Sequence, residues 1–345
     1  MLIYKSKLFN KVTKKLNVGI VGMGRISKKH LIALKKNKTF YNISVICDNN
    51  KSKLSQNIQT LKVKSINEMF KKKKNLDLVS ICTPSGLHKS HAIECLKNGS
   101  NVLIEKPMAL KRKDCHEIIK VGKRYKKKIF VCLQNRYNPT IQKLKKALDK
   151  NKFGKIYFVS VNIFWNREQS YYDQDKWRGT KKFDGGALMN QSIHFVDLLI
   201  WLFGPIKKKQ ILRSKLARKI ETEDTAAINI YFKKNILCSL SSTMLVNNKN
   251  YEGSMTVIGQ KGTVKIGGLA LNEILDWKEN GQEMNNSQKK KFNYKLNSVY
   301  GNGHELLYKE IYKYLKKLKS APVLGSDGIK SVEFIDDLYK SSKLK

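Results

Sequence analysis

The 345 residues suffice for about two domains with separate cores, and an apolar fraction of 41% excludes a disordered chain. No stretch approaches the roughly 20 apolar residues of a membrane-spanning helix, so we expect no membrane partner. Lys and Arg number 69 against 27 Asp and Glu, a formal net charge of +42. Lysine is spread along the whole chain without a zinc-finger or RNP signature, so we predict compositional bias and no nucleic-acid site.

Residues 1–15 are basic without a long apolar core, and we interpret them as a short N-terminal extension and not as a secretory signal. The cysteines form no CxxC pair and several lie in apolar runs, which favours a reducing, cytoplasmic setting. The six histidines do not cluster with cysteines along the sequence, so we predict no metal site.

Residues 16–133 alternate between strand and helix patterns. Strands are predicted at 17–23, 41–47, 76–82, 101–105 and 129–133, with helices at 25–36, 88–98 and 114–125. Such alternation predicts an α/β fold with a doubly wound parallel sheet of the Rossmann type.

Residues 134–345 follow a different pattern, which predicts an α+β domain with a large, mostly antiparallel, open-faced sheet. Strands are predicted at 155–165, 225–232, 236–243, 254–258 and 262–266, and helices at 139–149, 186–203, 304–317 and 328–342. The polar stretch 279–297 is predicted to be a mobile loop. We expect the C-terminal helices to pack back on the first domain and a homo-oligomer, a dimer or tetramer, to cover the outer sheet face.

The motif Gly22-Met23-Gly24-Arg25-Ile26-Ser27 follows a predicted strand and opens a predicted helix. In this context the glycines let the backbone approach a pyrophosphate, and the helix N-terminus donates N–H groups to it. Asp48 ends the second strand, where a carboxylate accepts hydrogen bonds from a ribose 2′-hydroxyl. The pair predicts NAD as cofactor in preference to NADP. The alternative for Asp48 is a turn-forming residue.

Two further segments carry candidate chemistry. Lys106, in Glu105-Lys106-Pro107, follows a strand at the ligand-binding edge of the sheet, where loss of hydration lowers the pKa of an amine. Asn190 and His194 lie four residues apart in a predicted helix that begins at a glycine pair, so they share one face. The alternative for His194 is a structural histidine on an apolar helix.

These motifs resemble the Gfo/Idh/MocA family of nicotinamide-dependent oxidoreductases. Glu105-Lys106-Pro107 resembles the family's EKP motif, and the segment 185–194 resembles its second catalytic motif, although many members carry Asp where this chain has Asn190. The resemblance is closest to the bacterial UDP-N-acetylglucosaminuronate 3-dehydrogenases, through the strings at 134–139, 165–167, 171–180, 190–194, 250–254 and 261–268.

The resemblance implies NAD-dependent oxidation of a nucleotide sugar at C3, for the synthesis of surface polysaccharide sugars. Lys106 would stabilise charge and relay the proton, His194 would be the immediate base and Asn190 would assist, although the roles of Lys106 and His194 are interchangeable at this stage. The implied cofactor contacts are Gly22, Met23, Gly24, Arg25, Ile26, Asp48, Thr83, Pro84, Ser85, His88, Glu105, Lys106 and Gln134. The implied substrate contacts are Lys106, Arg136, Arg167, Tyr172, Trp177, Arg178, Asn190 and His194.

Several alternatives stay open at this point. For Arg167 and Arg178 the alternative is a surface ion pair, and for Tyr172 and Trp177 it is core packing. His304 either reaches the substrate or caps a helix. For the whole protein, the alternatives are a dehydrogenase of another sugar or inositol, and a non-catalytic NAD-binding regulator.

Overall fold

The protein is described by a computed structural model that covers residues 14–55, 58–296 and 301–344. Most of the predicted extension 1–15, and the last residue of the predicted loop 279–297, lie outside these ranges.

The first half of the chain forms a six-stranded parallel sheet, as predicted. Its strands are β1 (Leu16–Val21), β2 (Tyr41–Cys47), β3 (Leu61–Val63), β4 (Leu78–Ile81), β5 (Asn101–Glu105) and β6 (Ile129–Cys132). Its helices are α1 (Ser27–Lys36), α2 (Ile66–Lys72), α3 (His88–Lys97) and α4 (Arg112–Arg124). The strand order is β3-β2-β1-β4-β5-β6, the order of a doubly wound dinucleotide-binding sheet.

The second half forms an eight-stranded sheet with the order β14-β13-β12-β11-β7-β10-β9-β8. Its strands are β7 (Ile156–Phe164), β8 (Ile206–Ser214), β9 (Thr225–Phe232), β10 (Leu237–Thr243), β11 (Glu252–Gly259), β12 (Gly262–Gly267), β13 (Glu273–Glu279) and β14 (Gln282–Glu283). β7 and β10 run parallel and the other neighbouring pairs run antiparallel. The predicted fold class is confirmed.

The second half of the chain has six helices in the described residues. They are α5 (Pro139–Asp149), α6 (Gln169–Asp173), α7 (Ile193–Phe203), α8 (Asn286–Lys290), α9 (Gly303–Leu315) and α10 (Gly325–Lys340). The apolar helix α7 covers the inner face of the sheet: Phe195 packs on Trp165 and Phe203 on Phe232, with ring centroids 6.0 and 5.9 Å apart. One face of β9 is buried and the other is more exposed, the alternation of a sheet covered on one side.

The chain returns to the first sheet at its end. Leu307, Tyr308 and Ile311 of α9 are fully buried in the same core as the strands β1 and β4. Leu324, which precedes α10, pairs with Phe130 of β6, and Val131 donates its N–H to Val323 O. The first sheet is therefore completed by residues from the end of the chain.

Several elements were not among the sequence predictions. β3 and α2 were not predicted because three and seven residues are too short to show a period. β8 was hidden by its run of lysines. β13 was not predicted either, and it lies just before the stretch 279–297. That stretch is not a plain loop, since it contains β14 and α8, and Asn285 and Gln288 form a reciprocal capping box at the start of α8.

The predicted helix 186–203 is also corrected. The α-helical part begins at Ile193, and Leu188–Ser192 form a wide π turn before it. Such turns interrupt the regular spacing of a helix and are frequent at functional sites.

Candidate active site

A cleft of about 1160 Å³ opens at the carboxyl edge of the first sheet, where the strand order reverses between β1 and β4. Ligands of doubly wound sheets bind at this switch point. The loops after β1, β2, β3, β4 and β5 form one side, and some of the residues in the segments 165–178, 190–194 and 248–250 form the other. Its lining includes the predicted residues Gly22, Gly24, Arg25, Ile26, Asp48, Thr83, Pro84, Ser85, His88, Glu105, Lys106, Arg167, Trp177, Arg178, Asn190 and His194.

The glycine loop has the shape that a dinucleotide requires. Gly22 has φ +89°, and a Cβ there would lie 2.8 Å from backbone atoms of Cys82 and Thr83. A Cβ on Gly24 would meet nothing within 4 Å, so at Gly24 the backbone itself borders open space. Ser27 is fully buried and donates its hydroxyl to Gly24 O at 2.7 Å, which fixes the turn. The loop therefore fits a pyrophosphate approached by backbone N–H groups.

Asp48 is held in place at the end of β2. Its Oδ2 accepts the Met23 N–H at 2.7 Å and its Oδ1 accepts the Asn50 N–H at 2.8 Å. Met23 thus acts through its backbone, since its side chain is buried outside the cleft. An ionised carboxylate has about four acceptor positions, so Asp48 can still accept from a ribose hydroxyl. Asp48 therefore braces the turn and also lines the cleft.

His88 joins the loops after β4 and β5. Its Nδ1 lies 2.7 Å from Pro107 O and its Nε2 lies 2.9 Å from Thr83 O. Burial lowers the pKa of His88, although the two carbonyls oppose that shift. The residue holds the two loops of this side at a fixed spacing.

Lys106 reaches across the cleft to Asn190. Its Nζ donates to Asn190 O at 2.6 Å and to Asn190 Oδ1 at 3.1 Å. Burial lowers the pKa of Lys106, while the carboxylates of Glu105 and Asp184 oppose that shift. The predicted meeting of Lys106 and Asn190 is thus present in the geometry.

His194 is a buried, neutral imidazole. Burial and the Lys106 charge lower its pKa to about 3, so it is uncharged at neutral pH. Its Nε2 lies 3.4 Å from Gln134 Nε2, and its Nδ1 has no hydrogen-bond partner among the described residues. Gln134 lies behind His194 and does not line the cleft. A neutral imidazole beside a cation has a nitrogen able to accept a proton.

Behind Lys106, the Glu105 carboxylate is enclosed by histidines. His30 Nε2 lies 2.8 Å from Glu105 Oε1 and His304 Nε2 lies 3.5 Å from it. Burial alone would raise the pKa of Glu105, but contacts with His30 and His304 hold it well below its usual range. His304 lies under the cleft, so neither alternative stated for it describes its place.

The fold brings together histidines and a cysteine that lie apart in the sequence. With Cys132, the groups of His30, Glu105 and His304 lie within 4.8 Å of one another, a spacing that could hold a metal ion. The histidines and cysteine are far apart in sequence and only the fold brings them together. A hydrogen bond already joins His30 to Glu105, and Tyr308 OH lies 2.7 Å from the other nitrogen of His30.

The far side of the cleft is formed by two arginines, Arg167 and Arg178, and by the rings of Trp165, Tyr171 and Trp177. Arg167 donates to Asn250 Oδ1 at 3.1 Å and to Gln191 Oε1 at 3.0 Å. Arg178 donates to Asp175 Oδ2 at 2.9 Å and to the Tyr171 hydroxyl at 2.5 Å. The guanidinium carbons of Arg167 and Arg178 lie 5.3 and 4.4 Å from the centre of the Tyr171 ring. Both cations are thus held in the wall of the cleft by hydrogen bonds and by the Tyr171 ring.

Two predicted substrate residues are not brought to the cleft. Arg136 is buried and donates to both carboxylate oxygens of Asp197 at 2.8 and 2.6 Å. Tyr172 is buried and its ring packs edge-on against Tyr171, with centroids 5.2 Å apart. Arg136 therefore occupies an internal ion pair and Tyr172 the core.

The sequence reasoning missed four residues of this side: Tyr171, Asp184, Gln191 and Asn250. Tyr171, Gln191 and Asn250 lie inside strings that were noted only as similarity, and Asp184 directly precedes the glycine pair. Nothing in their spacing assigns them to a site, because their partners lie up to 84 residues away.

Two hydrogen bonds also connect the two sides of the cleft. Arg25 of the glycine loop donates to Gln174 Oε1 at 2.7 Å. Gly86 donates its N–H to Phe183 O at 3.0 Å, and a Cβ at Gly86 would lie 2.3 Å from Lys182 O. The two halves thus meet closely around the cleft.

Over the described ranges, no helix has both the length and the apolar character needed to cross a membrane.

A dinucleotide-binding loop that shares one cleft with a half-buried lysine, an asparagine and a histidine defines a nicotinamide-dependent oxidoreductase. The chain belongs to the Gfo/Idh/MocA oxidoreductase family: residues 16–133 match its NAD-binding Rossmann fold, and residues 145–345 match its C-terminal alpha/beta domain. The predicted family is confirmed.

Two solved structures are similar to nearly the whole chain. The WlbA dehydrogenase of Bordetella pertussis, in complex with NADH and UDP-GlcNAcA, is 38% identical with a TM-score of 0.91 over 96% of both chains. The WlbA dehydrogenase of Chromobacterium violaceum, with the same two ligands, is 39% identical with a TM-score of 0.88, over 95% of this chain and 94% of that one. A curated oxidoreductase of Synechocystis is 22% identical over 209 residues, 57% of this chain, which spans only 56% of that relative's length.

Proposed function

We propose that this protein oxidises a nucleotide sugar with NAD, and that the sugar is UDP-N-acetylglucosaminuronic acid, oxidised at its C3 hydroxyl. The observation that carries the proposal is the convergence of Lys106, Asn190 and His194 with Arg167 and Arg178 in the cleft that the glycine loop also borders. The similarity to two enzymes solved with NADH and UDP-GlcNAcA supports the choice of sugar.

The cofactor would be held by the first side of the cleft. Gly22, Gly24 and the start of α1 fit its pyrophosphate, and Asp48 fits the ribose hydroxyls. Thr83, Pro84, Ser85 and His88 shape the loop beside it. When bound, NAD supplies the acceptor for the hydride that leaves the sugar carbon.

The proton of the sugar hydroxyl would be managed by Lys106 and His194. His194 is neutral and therefore able to accept a proton, whereas Lys106 as an ammonium stabilises the alkoxide that develops on the sugar. Asn190 accepts from the ammonium and orients it. We assign His194 as the immediate base and Lys106 as stabiliser and relay, with the reverse order as the alternative.

The two arginines would recognise the anionic substrate. Arg167 lies close enough to Lys106 for its charge to lower the pKa of that lysine, so it is suited to the uronate carboxylate near the reacting carbon. Arg178 and the Trp177 ring, beside each other in the same wall, are suited to the pyrophosphate and a flat sugar or base. The net charge of +42 adds general attraction for a ligand with several negative charges.

We also propose that the protein is a cytoplasmic homo-oligomer. All six cysteines are buried and free, which suits a reducing compartment. On the outer face of the second sheet, Leu237 and Ile258 both pair in register with Phe158 of β7, and both are exposed. Pairing of subunits through this face would cover that apolar row. Light scattering in solution would give the oligomer size.

The test is turnover with NAD on a panel of sugars, followed through NADH absorbance. We expect activity with UDP-N-acetylglucosaminuronic acid and much less with UDP-N-acetylglucosamine, which lacks the carboxylate. Equal rates with both would remove the assigned role of Arg167. Turnover of myo-inositol or a free sugar alone would replace the proposed substrate.

A further inference from the structure

Asp184 lies behind the wall of the cleft, where it contacts Asn190. Its Oδ1 accepts a short hydrogen bond from Asn190 Nδ2, and its Oδ2 accepts the Gly179 N–H at 2.8 Å. Only 4% of Asp184 is exposed, so water cannot replace these partners. The carboxylate is therefore placed by the fold and not by solvent.

Asp184 determines which way the Asn190 amide faces. An ionised carboxylate only accepts hydrogen bonds, so it selects the NH₂ end of the amide. The Oδ1 of Asn190 must then point to the opposite side, and there it lies 3.1 Å from Lys106 Nζ. The reversed amide would set a carbonyl against the carboxylate and an NH₂ group against the ammonium. The order Asp184–Asn190–Lys106 is thus chemically directional.

The charged groups around Lys106 agree with the order Asp184–Asn190–Lys106. Lys106 faces the carboxylates of Glu105 and Asp184, the guanidinium of Arg167 and the thiol of Cys132, and it lowers the pKa of the neighbouring His194. Burial raises the pKa of Asp184, and the charges of Lys106 and Arg178 oppose that shift. Asp184 thus contributes negative charge to Lys106 without touching it.

We propose that Asp184 is a positioning residue for the reaction. Acting through the Asn190 amide, it aims the Lys106 ammonium at the sugar hydroxyl and favours its charged form. The proposal rests on the role of Lys106 in the proposed function. It also explains why an amide suits position 190, since a carboxylate there would face Asp184 at hydrogen-bond distance in a buried site.

The test is Asp184→Asn, with Asp173→Asn as a matched control, because Asp173 is exposed on the same segment and contacts Gln169 instead. For Asp184→Asn we expect kcat to fall by about 10- to 100-fold, with KM and NAD affinity within about twofold. Losing the carboxylate lowers the pKa of Lys106, so the alkaline limb of the kcat profile should move to lower pH. Asp184→Glu should restore part of kcat, and the control should match the parent protein.

Asn190→Asp is a second variant that leaves the backbone turn in place. Two buried carboxylates in contact share a proton, so we expect a lower kcat with a new dependence on pH. An unchanged kcat and pH profile in Asp184→Asn, or a loss of thermal stability with unchanged kinetics, would overturn the positioning role. Lys106→Ala separates this inference from the role on which it rests: full activity in that variant would remove the assigned role of Lys106, whereas its inactivity beside a normal Asp184→Asn would remove only this inference.

Discussion

The two sides of the cleft are built in different ways. On the side of the first sheet, groups of the backbone and of strand ends form the site: Gly22 turns the chain, Asp48 ends β2 and Lys106 follows β5. On the facing side, side chains hold one another across long sequence separations, as when Arg167 bonds Asn250 and Gln191. The first side is suited to a ligand shared by many proteins, and the second to a particular substrate.

The largest effect should come from the groups that meet between the two sides. Lys106→Ala and His194→Ala should each lower kcat by about 10²- to 10⁴-fold while NAD binding, measured by calorimetry, is kept. Asn190→Ala should cost less, because an amide orients but does not transfer a proton. Near-normal turnover in the His194 variant would make Lys106 the base.

The pH dependence of kcat follows from the same two residues. The pKa of His194 is lowered to about 3, so it stays neutral from pH 5 upwards and contributes no limb there. Burial lowers the pKa of Lys106, and its ammonium is the active form in our mechanism, so activity should fall as pH rises through that pKa. A pH–rate profile checks this, and an acidic limb near pH 6 that disappears in His194→Ala would contradict it.

A substitution of Arg136 tests whether this residue belongs to the core of the second half of the chain and not to the substrate site. Arg136→Ala leaves the Asp197 carboxylate buried without its partner, so we expect a loss of about 3–5 kcal/mol in the free energy of unfolding. KM of the protein that remains folded should be unchanged. Denaturant unfolding and kinetics below the transition measure both, and a raised KM at full stability would return Arg136 to the substrate site.

Arg167 tests the facing side alone. Arg167→Lys keeps the charge but loses the planar fork, and a hydrogen bond to a charged group contributes about 1.5–3 kcal/mol. We therefore expect KM for the uronate substrate to rise about 10- to 100-fold, with little change for NAD. An equal loss for NAD would show that the two sides are not separate in function.

Asp48 tests the first side alone. Asp48→Ser removes the ribose acceptor and the repulsion of a 2′-phosphate, so kcat/KM should fall for NAD and rise for NADP, by about tenfold each. Since Asp48 also braces Met23, a stability measurement serves as control. An unchanged cofactor ratio would mean that Asp48 only braces the turn.

The surface charge should have the smallest effect on function. Any binding to DNA should be weak, independent of sequence and steeply lost as salt rises. Titration of labelled duplexes at two salt concentrations checks this. A tight complex with one sequence at physiological salt would contradict our interpretation of the lysines.

The first side was predictable because its signals are local. Three features occupy fixed places in a doubly wound sheet: a glycine motif between strand and helix, an Asp just after the second strand, and a lysine just after a later strand. The alternation of β9 likewise predicts its buried face. These patterns depend on neighbours only a few residues apart.

The facing side was predictable only in part. Asn190 and His194 were expected on one face of a regular helix. In the structure Asn190 lies in the π turn Leu188–Ser192, and His194 lies in the helix α7 that follows it. Asp184 carries no signal of its own, since its role depends on where Asn190 and Lys106 lie after folding. Arg136 and Arg167 are both arginines in segments that carry the family resemblance. Only the packing of the folded chain determines that Arg136 pairs with Asp197.

The return of the chain to the first sheet affects how this protein can be divided. A fragment that ended near residue 133 would expose the apolar surface that Leu307, Tyr308 and Ile311 now cover. It would also lose the Tyr308 hydroxyl beside His30 and the edge pairing of Leu324 with Phe130. In topological terms the second sheet is an insertion into the first unit, so an engineered cofactor-binding module would need the α9–α10 segment spliced directly after β6.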